Sequence, residues 1–128
     1  MTVWCRGIRG AITASENTRE AILEATHELL QQLTEANGIA PDDVTSVFFT
    51  MTPDLNAEFP AVAARQIGWV GTALMCGQEV DVPGSLPRCI RVLIHWNTTR
   101  HASEIVHVYL RDAWALRPDH ARKMEKEL

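Results

Sequence analysis

The sequence predicts a mixed α/β protein of the α+β kind: one domain, a mixed sheet of roughly five strands, one long helix on one face, and a few short helices. Three observations predict it. A helical apolar period is sustained at length only once, between Thr18 and Asn37. Apolar runs of strand length recur around it, bounded by Gly, Pro and Asp turns. The runs and helices are interleaved, which builds a sheet with a helix packed against it. A chain of 128 residues is enough for one domain with a real core.

The first strand is expected within residues 3–13. Arg6 and Arg9 are three residues apart there, so they point to opposite faces and at most one meets a given pocket. The long helix follows. Asn17 is a suitable cap, with Glu20 three residues later as in a capping box. Ile22, Ala25, Thr26, Leu29, Leu33 and Ala36 form its apolar stripe. Asn37-Gly38 ends it, and Pro41 prevents its resumption.

Val44 to Met51 reads as the second strand, closed by the turn Thr52-Pro53-Asp54. Pro60 suits the first turn of a short helix that runs to Ile67 and stops at Gly68. Val70 to Met75 is the third strand, residues 82–87 a loop, Arg88 to Trp96 the fourth strand and Ile105 to Tyr109 the fifth. Leu110 to Leu116 fits neither period. Residues 119–128 are mostly charged and read as a mobile C-terminal tail, which leaves 1–118 as the domain. So few helices cannot cover both faces of a sheet. Trp4, Trp69, Trp96 and Trp114 suit either a monomer core or a face covered by other subunits.

Composition excludes several classes of function. A net charge of −4, with no Lys/Arg cluster outside the extreme C-terminus, argues against a nucleic-acid partner. No apolar run has bilayer length, so no membrane partner is expected. The first residues lack the apolar core of a secretory signal. Cys5, Cys76 and Cys89 are odd in number and scattered, which points to a reducing cytoplasm rather than a disulfide framework. The five histidines form no helical pair at metal-ligand spacing and no CxxC occurs, so neither metal nor cofactor is expected. Cys76 near Glu79 suggests a thiolate nucleophile only weakly, since no basic partner stands close in sequence.

One charge is out of place. Arg91 lies inside Cys89-Ile90-Arg91-Val92-Leu93-Ile94-His95-Trp96, a run that otherwise reads as a buried strand. Burying a guanidinium costs several kcal/mol unless an anion meets it. Glu79 ends another apolar run, and Arg9 lies in the first. Spacing alone leaves two readings open, a structural ion pair or a preorganised pocket for a small anion. Tyr109 has the same two readings, sheet packing or pocket.

Seven motifs occur in order: Arg6-Gly7-Ile8-Arg9-Gly10-Ala11, Thr52-Pro53-Asp54-Leu55, Phe59-Pro60-Ala61, Cys76-Gly77-Gln78-Glu79, Cys89-Ile90-Arg91-Val92, His107-Val108-Tyr109-Leu110 and Leu116-Arg117-Pro118-Asp119. Together they resemble the small monofunctional AroH-class chorismate mutases, over nearly the whole chain. Each motif alone is weak; seven in register are specific. The resemblance implies an isomerase that converts chorismate to prephenate on the way to phenylalanine and tyrosine. It also implies a homotrimeric pseudo-α/β barrel with active sites between subunits.

Carried over motif by motif, the resemblance implies that Arg9 binds a substrate carboxylate and that Arg91 contacts the ether oxygen and a carboxylate. Glu79 and Cys76 match residues near the ring hydroxyl, with Met75 beside them. Tyr109 matches a hydrogen-bond donor to the enolpyruvyl carboxylate, Phe59 an apolar wall and Arg65 an arginine at the mouth. Leu116 and Arg117 match the segment that leads into a closing tail. Two departures stand out: Val62 replaces a lysine of the family pattern, and residues 65–69 are one residue short of it. A non-catalytic trimeric anion-binding module and an imine hydrolase on a similar trimeric fold are the alternatives.

Overall fold

The computed structural model describes residues 1–116. Its strands are β1 (Trp4–Thr13), β2 (Val44–Met51), β3 (Ala73–Gln78), β4 (Cys89–Thr98) and β5 (Val108–Tyr109). The helices are α1 (Arg19–Asn37) and α2 (Ala61–Gln66), with short 3-10 turns at Pro41–Asp43, Ala102–Glu104 and Arg111–Leu116. The strands form one sheet in the order β3-β2-β4-β1-β5. β4 runs antiparallel to β1 and β2, while β3 and β5 add parallel edges. The expected mixed five-stranded sheet with one long helix is the observed fold.

Alternation along the strands decides what each face carries. Ile8, Ile12, Val47, Phe49, Ile90 and Ile94 are fully buried in the core that Ile22, Leu29 and Leu33 of α1 complete. Gly10 permits that packing. A Cβ there would lie 2.9 Å from Leu33 Cδ1 and 3.1 Å from the Val108 carbonyl oxygen. Asn37 closes the far end, donating Nδ2 to the carbonyls of Leu33 and Val106 and accepting the Val106 N–H on Oδ1. All its polar atoms are thus engaged, as burial of an amide requires.

Among the described residues, nothing covers the centre of the opposite face. Arg9, Phe48, Thr50, Arg91 and Leu93 alternate with the core residues and project there. Arg91 is therefore not buried as its apolar run suggested: its side chain is 48% exposed. The run is apolar because its alternate residues Ile90, Val92, Ile94 and Trp96 fill the core. At one end of the open face, Ala11, Cys89, Tyr109 and Ala113 form a second buried cluster, with Leu86 and Leu116 packed against it.

Several expected boundaries move. Thr18 caps α1, its Oγ1 accepting the Ala21 N–H, so the Asn17–Glu20 capping box does not form. Asn17 instead accepts the N–H groups of Asn56 and Ala57. Ala36 is exposed and Asn37 takes the buried position. β3 starts and ends three residues later than expected, because Trp69 turns into the core and its N–H bonds the Ala64 carbonyl. β4 gains two residues at its far end, and β5 keeps only two of the five expected residues. The undecided stretch after Leu110 is a 3-10 turn. Trp69 and Trp96 are buried, whereas Trp4 and Trp114 are partly exposed. Arg117 and residues 119–128 lie outside the described residues.

Candidate active site

Two rows of side chains cross the open face. In the first, Thr50 of β2 pairs with Arg91 of β4, Arg91 with Ala11 of β1, and Ala11 with Tyr109 of β5. In the second, Phe48 pairs with Leu93, and Leu93 with Arg9. The rows enclose a hollow of about 280 Å³ bordered by Arg9, Thr50, Glu79, Arg91 and Tyr109, with Phe48 and Leu93 as apolar lining. Arg6, as its spacing from Arg9 required, lies on the other side, where its Nε donates to the Arg100 carbonyl and its guanidinium stacks 5.0 Å from the Trp4 ring.

Glu79 follows β3 directly. Its N–H donates to the Met51 carbonyl at 2.9 Å, which fixes its backbone against β2. Thr50 Oγ1 donates to Glu79 Oε1 at 2.5 Å, and Arg91 Nε stands 3.3 Å from the same oxygen. A second hollow of about 220 Å³ shares Glu79 and Arg91 and is bordered by Thr52, Cys89 and Leu116. The charged pair thus stands where two hollows meet.

The start of β4 is pinned by a polar clamp. Thr52 Oγ1 accepts the Cys89 N–H at 2.9 Å and donates to Asp54 Oδ1 at 2.5 Å. Asp54 Oδ2 accepts the Arg88 N–H at 2.8 Å, holding Arg88 at φ +50°. A non-glycine residue in that region persists only when its surroundings hold it. The clamp lies just ahead of Arg91 and fixes the strand that carries it.

Cys76 and Cys89 are not poised as nucleophiles. Burial pushes the Cys89 thiol up to about 11, against the opposing pull of Arg91. Burial also raises Cys76, partly offset by a backbone hydrogen bond at Ala61 and the charge of Arg65. Both remain thiols at neutral pH, and a thiol is the unreactive form. Among the described residues no group of three or more His, Cys, Asp or Glu side chains is placed to hold a metal ion. What remains is an acceptor carboxylate, two guanidiniums and a phenol around a partly apolar hollow. That set suits a small dianion that also carries a hydroxyl.

The sequence model for chorismate mutase type I matches residues 5–120. The chain belongs to that family. It is 56% identical over 115 residues to chorismate mutase AroH of Thermus thermophilus, covering 89% of this chain and 94% of that protein. It is 44% identical over 124 residues to chorismate mutase AroH of Bacillus subtilis (strain 168), covering 96% and 98%. A solved chorismate mutase from Clostridium thermocellum superposes with a TM-score of 0.84 at 52% identity, covering 85% of this chain and 97% of that one. The type I chorismate mutase fold and membership expected from the motifs are thus shown, and neither alternative is favoured.

The residues singled out from the mutase motifs fall into separate groups. Arg9, Glu79, Arg91 and Tyr109 border one hollow, and Leu116 borders its neighbour. Phe59, Arg65, Met75 and Cys76 border neither. Phe59 and Met75 are 64% and 61% exposed, and Arg65 is exposed on α2. Met75 pairs with Phe48 across β2–β3, while Cys76 packs toward the core. Val62 is half-buried on α2.

Phe48, Thr50 and Leu93 are hollow-lining residues that the sequence reading did not single out. The available signal was their alternation with Val47, Phe49, Val92 and Ile94.

Proposed function

We propose that the Arg91–Glu79 pair carries the chorismate mutase activity of this chain, and that Arg9 and Tyr109 hold the substrate's carboxylates. The observation that carries this is the convergence of all four side chains on one hollow. The reaction is a unimolecular [3,3] rearrangement of chorismate to prephenate. The ether C–O bond breaks as a C–C bond forms, and no atom enters or leaves. It requires no nucleophile, which agrees with the raised thiols of Cys76 and Cys89.

As the C–O bond breaks, negative charge grows on the ether oxygen and positive character on the ring. A guanidinium aimed at that oxygen gains more in the transition state than in the ground state. Donors of this kind contribute about 3–4 kcal/mol. Glu79 accepts the ring hydroxyl and sits beside the developing positive charge. Anchoring both carboxylates holds the flexible substrate in its compact reactive shape.

Phe59, Arg65, Met75 and Cys76 complete the site from a neighbouring subunit of a homotrimer. Two features support this: no described residue covers the centre of the second face of the sheet, and these residues border neither hollow described above. The protein works in the cytoplasm, in phenylalanine and tyrosine biosynthesis. Its three cysteines are free, and no helix of the described residues is long and apolar enough to cross a membrane.

The test is purified protein with chorismate in excess EDTA, followed by prephenate formation and light scattering. Turnover by a trimer supports the reading. Absence of prephenate, or activity restored only by a divalent ion, overturns the mechanism, and a stable monomer at micromolar concentration overturns the assembly.

A further inference from the structure

We infer that Thr50 is a positioning residue for this reaction: its hydroxyl fixes the rotation of the Glu79 carboxylate and so decides which oxygen faces the substrate. The inference rests on the chorismate mutase reading of the site. Thr50 Oγ1 donates to Glu79 Oε1 at 2.5 Å, and Arg91 Nε stands 3.3 Å from that oxygen. A hydroxyl donor and a guanidinium crowd one carboxylate oxygen, which assigns the ring hydroxyl to the other.

The geometry is built into the sheet. Thr50 is the register partner of Arg91 on β4 and of Gly77 on β3, two residues before Glu79. The same strand also holds the Glu79 backbone, through the bond from its N–H to the Met51 carbonyl. β2 therefore grips Glu79 at both its backbone and its carboxylate.

A threonine suits the task physically. Its β-branched side chain has few rotamers on a strand, so the hydroxyl is held in place at little entropic cost. A hydroxyl has a single proton to donate, and Thr50 spends it on Glu79. Thr50 thus acts through Glu79 rather than on the substrate. Without it, Arg91 alone orients the carboxylate, and its side chain is 48% exposed and long. The carboxylate then samples rotations in which the hydroxyl acceptor is misplaced, and misplacement by a fraction of an ångström is costly in catalysis.

The experiment compares Thr50→Val, which keeps the shape and removes the hydroxyl, with Thr50→Ser, which keeps the hydroxyl and removes a methyl. Steady-state kinetics on chorismate and melting curves are recorded for both beside the wild type. Thr50→Val is expected to lower kcat about ten- to hundredfold, the loss of one hydrogen bond to a charged group. KM should change by less than about threefold, the mark of an interaction realised in the transition state. Thr50→Ser should recover most of the rate.

Unchanged kcat in Thr50→Val overturns the inference, and so does a rise in KM alone. An equal loss in Thr50→Ser assigns the effect to methyl packing and also overturns it. If Thr50→Val does not fold, Thr50→Ala takes its place, and failure of both to fold makes the hydroxyl structural. A wild-type protein that leaves chorismate unchanged fails the functional reading itself, a result distinct from all of these.

Discussion

Arg9 on β1 and Arg91 on β4 are diagonal neighbours across an antiparallel pair: Arg9 faces Leu93, and Arg91 faces Ala11. Diagonal positions on one face lie roughly 7–8 Å apart. Arg91 is countered by Glu79, whereas Arg9 has no ion pair among the described residues. Among the described residues, the hollow between them therefore keeps a surplus of positive charge inside an acidic protein of net charge −4. Local field rather than net charge governs capture of an anion.

Replacing Arg9 should accordingly weaken capture more than chemistry. Arg9→Ala is expected to raise KM for chorismate at least about tenfold, the loss of one charge-assisted contact. Much of the rate should persist at saturating substrate. Initial rates over a range of chorismate and of salt check this. The wild-type KM should rise with ionic strength, and the variant's should rise less. A variant with normal KM would leave Arg9 without a role in binding.

Gly10 tests the fold beneath that site. A Cβ would meet Leu33 Cδ1 at 2.9 Å, Leu29 Cδ1 at 3.1 Å and the Val108 carbonyl at 3.1 Å. The leucine ends can shift, but the carbonyl belongs to the β1–β5 pairing and yields less easily. Gly10→Ala should destabilise the protein by about 1–3 kcal/mol, as overpacking does. Urea unfolding should show a lower midpoint at an unchanged slope.

The helix, the sheet and the central charges were legible in the sequence for physical reasons. The α1 stripe at Ile22, Leu29 and Leu33 has one period and one explanation. Arg91 showed itself because a charge interrupts an apolar run; its half-exposure could not be read, because alternate residues of that run point to different faces. Thr50 gave no signal beyond its alternation with Phe49, since threonine is at home in any strand and its partner Glu79 is 29 residues away. Asn17 and Thr18 are both suitable caps on paper, Asn17 the better by type. The choice is made by Asn56 and Ala57, residues distant in the chain that engage Asn17. β3 was misplaced because Trp69 and Val70 continue its apolar run, while Trp69 belongs to the core and Val70 is exposed.

Cys89 gives a pH prediction with a definite sign. Its thiol is held up at about 11, above the ordinary value of 9.0, chiefly by burial. The folded state therefore keeps the proton through a range in which the unfolded chain releases it. The stability this contributes is complete below about pH 9 and is lost as pH rises toward about 11. Wild-type stability should fall across that window more steeply than that of Cys89→Ala. Urea midpoints of both proteins, measured at several pH values from 8 to about 11, check the difference in slope. Parallel curves would show that the thiol does not titrate in the folded state as its burial requires.

Arg91 provides the strictest test of the site. Its Nε stands 3.3 Å from Glu79 Oε1 and its side chain is 48% exposed, so the pair adds little to stability. Citrulline at position 91 keeps the planar shape and some donors but removes the charge. The protein should fold, with a melting temperature close to the wild type's. Turnover should fall at least about a hundredfold, the low end for loss of one transition-state donor. Substrate binding should weaken much less, because the ether oxygen gains its charge only as the bond breaks. Arg91→Lys should recover part of the rate, since an ammonium restores the charge without the planar fork. Single-turnover conversion of chorismate, read beside the melting curve, separates the two roles. Near-normal turnover would remove Arg91 from the chemistry, and a collapsed melting transition would make it a structural residue.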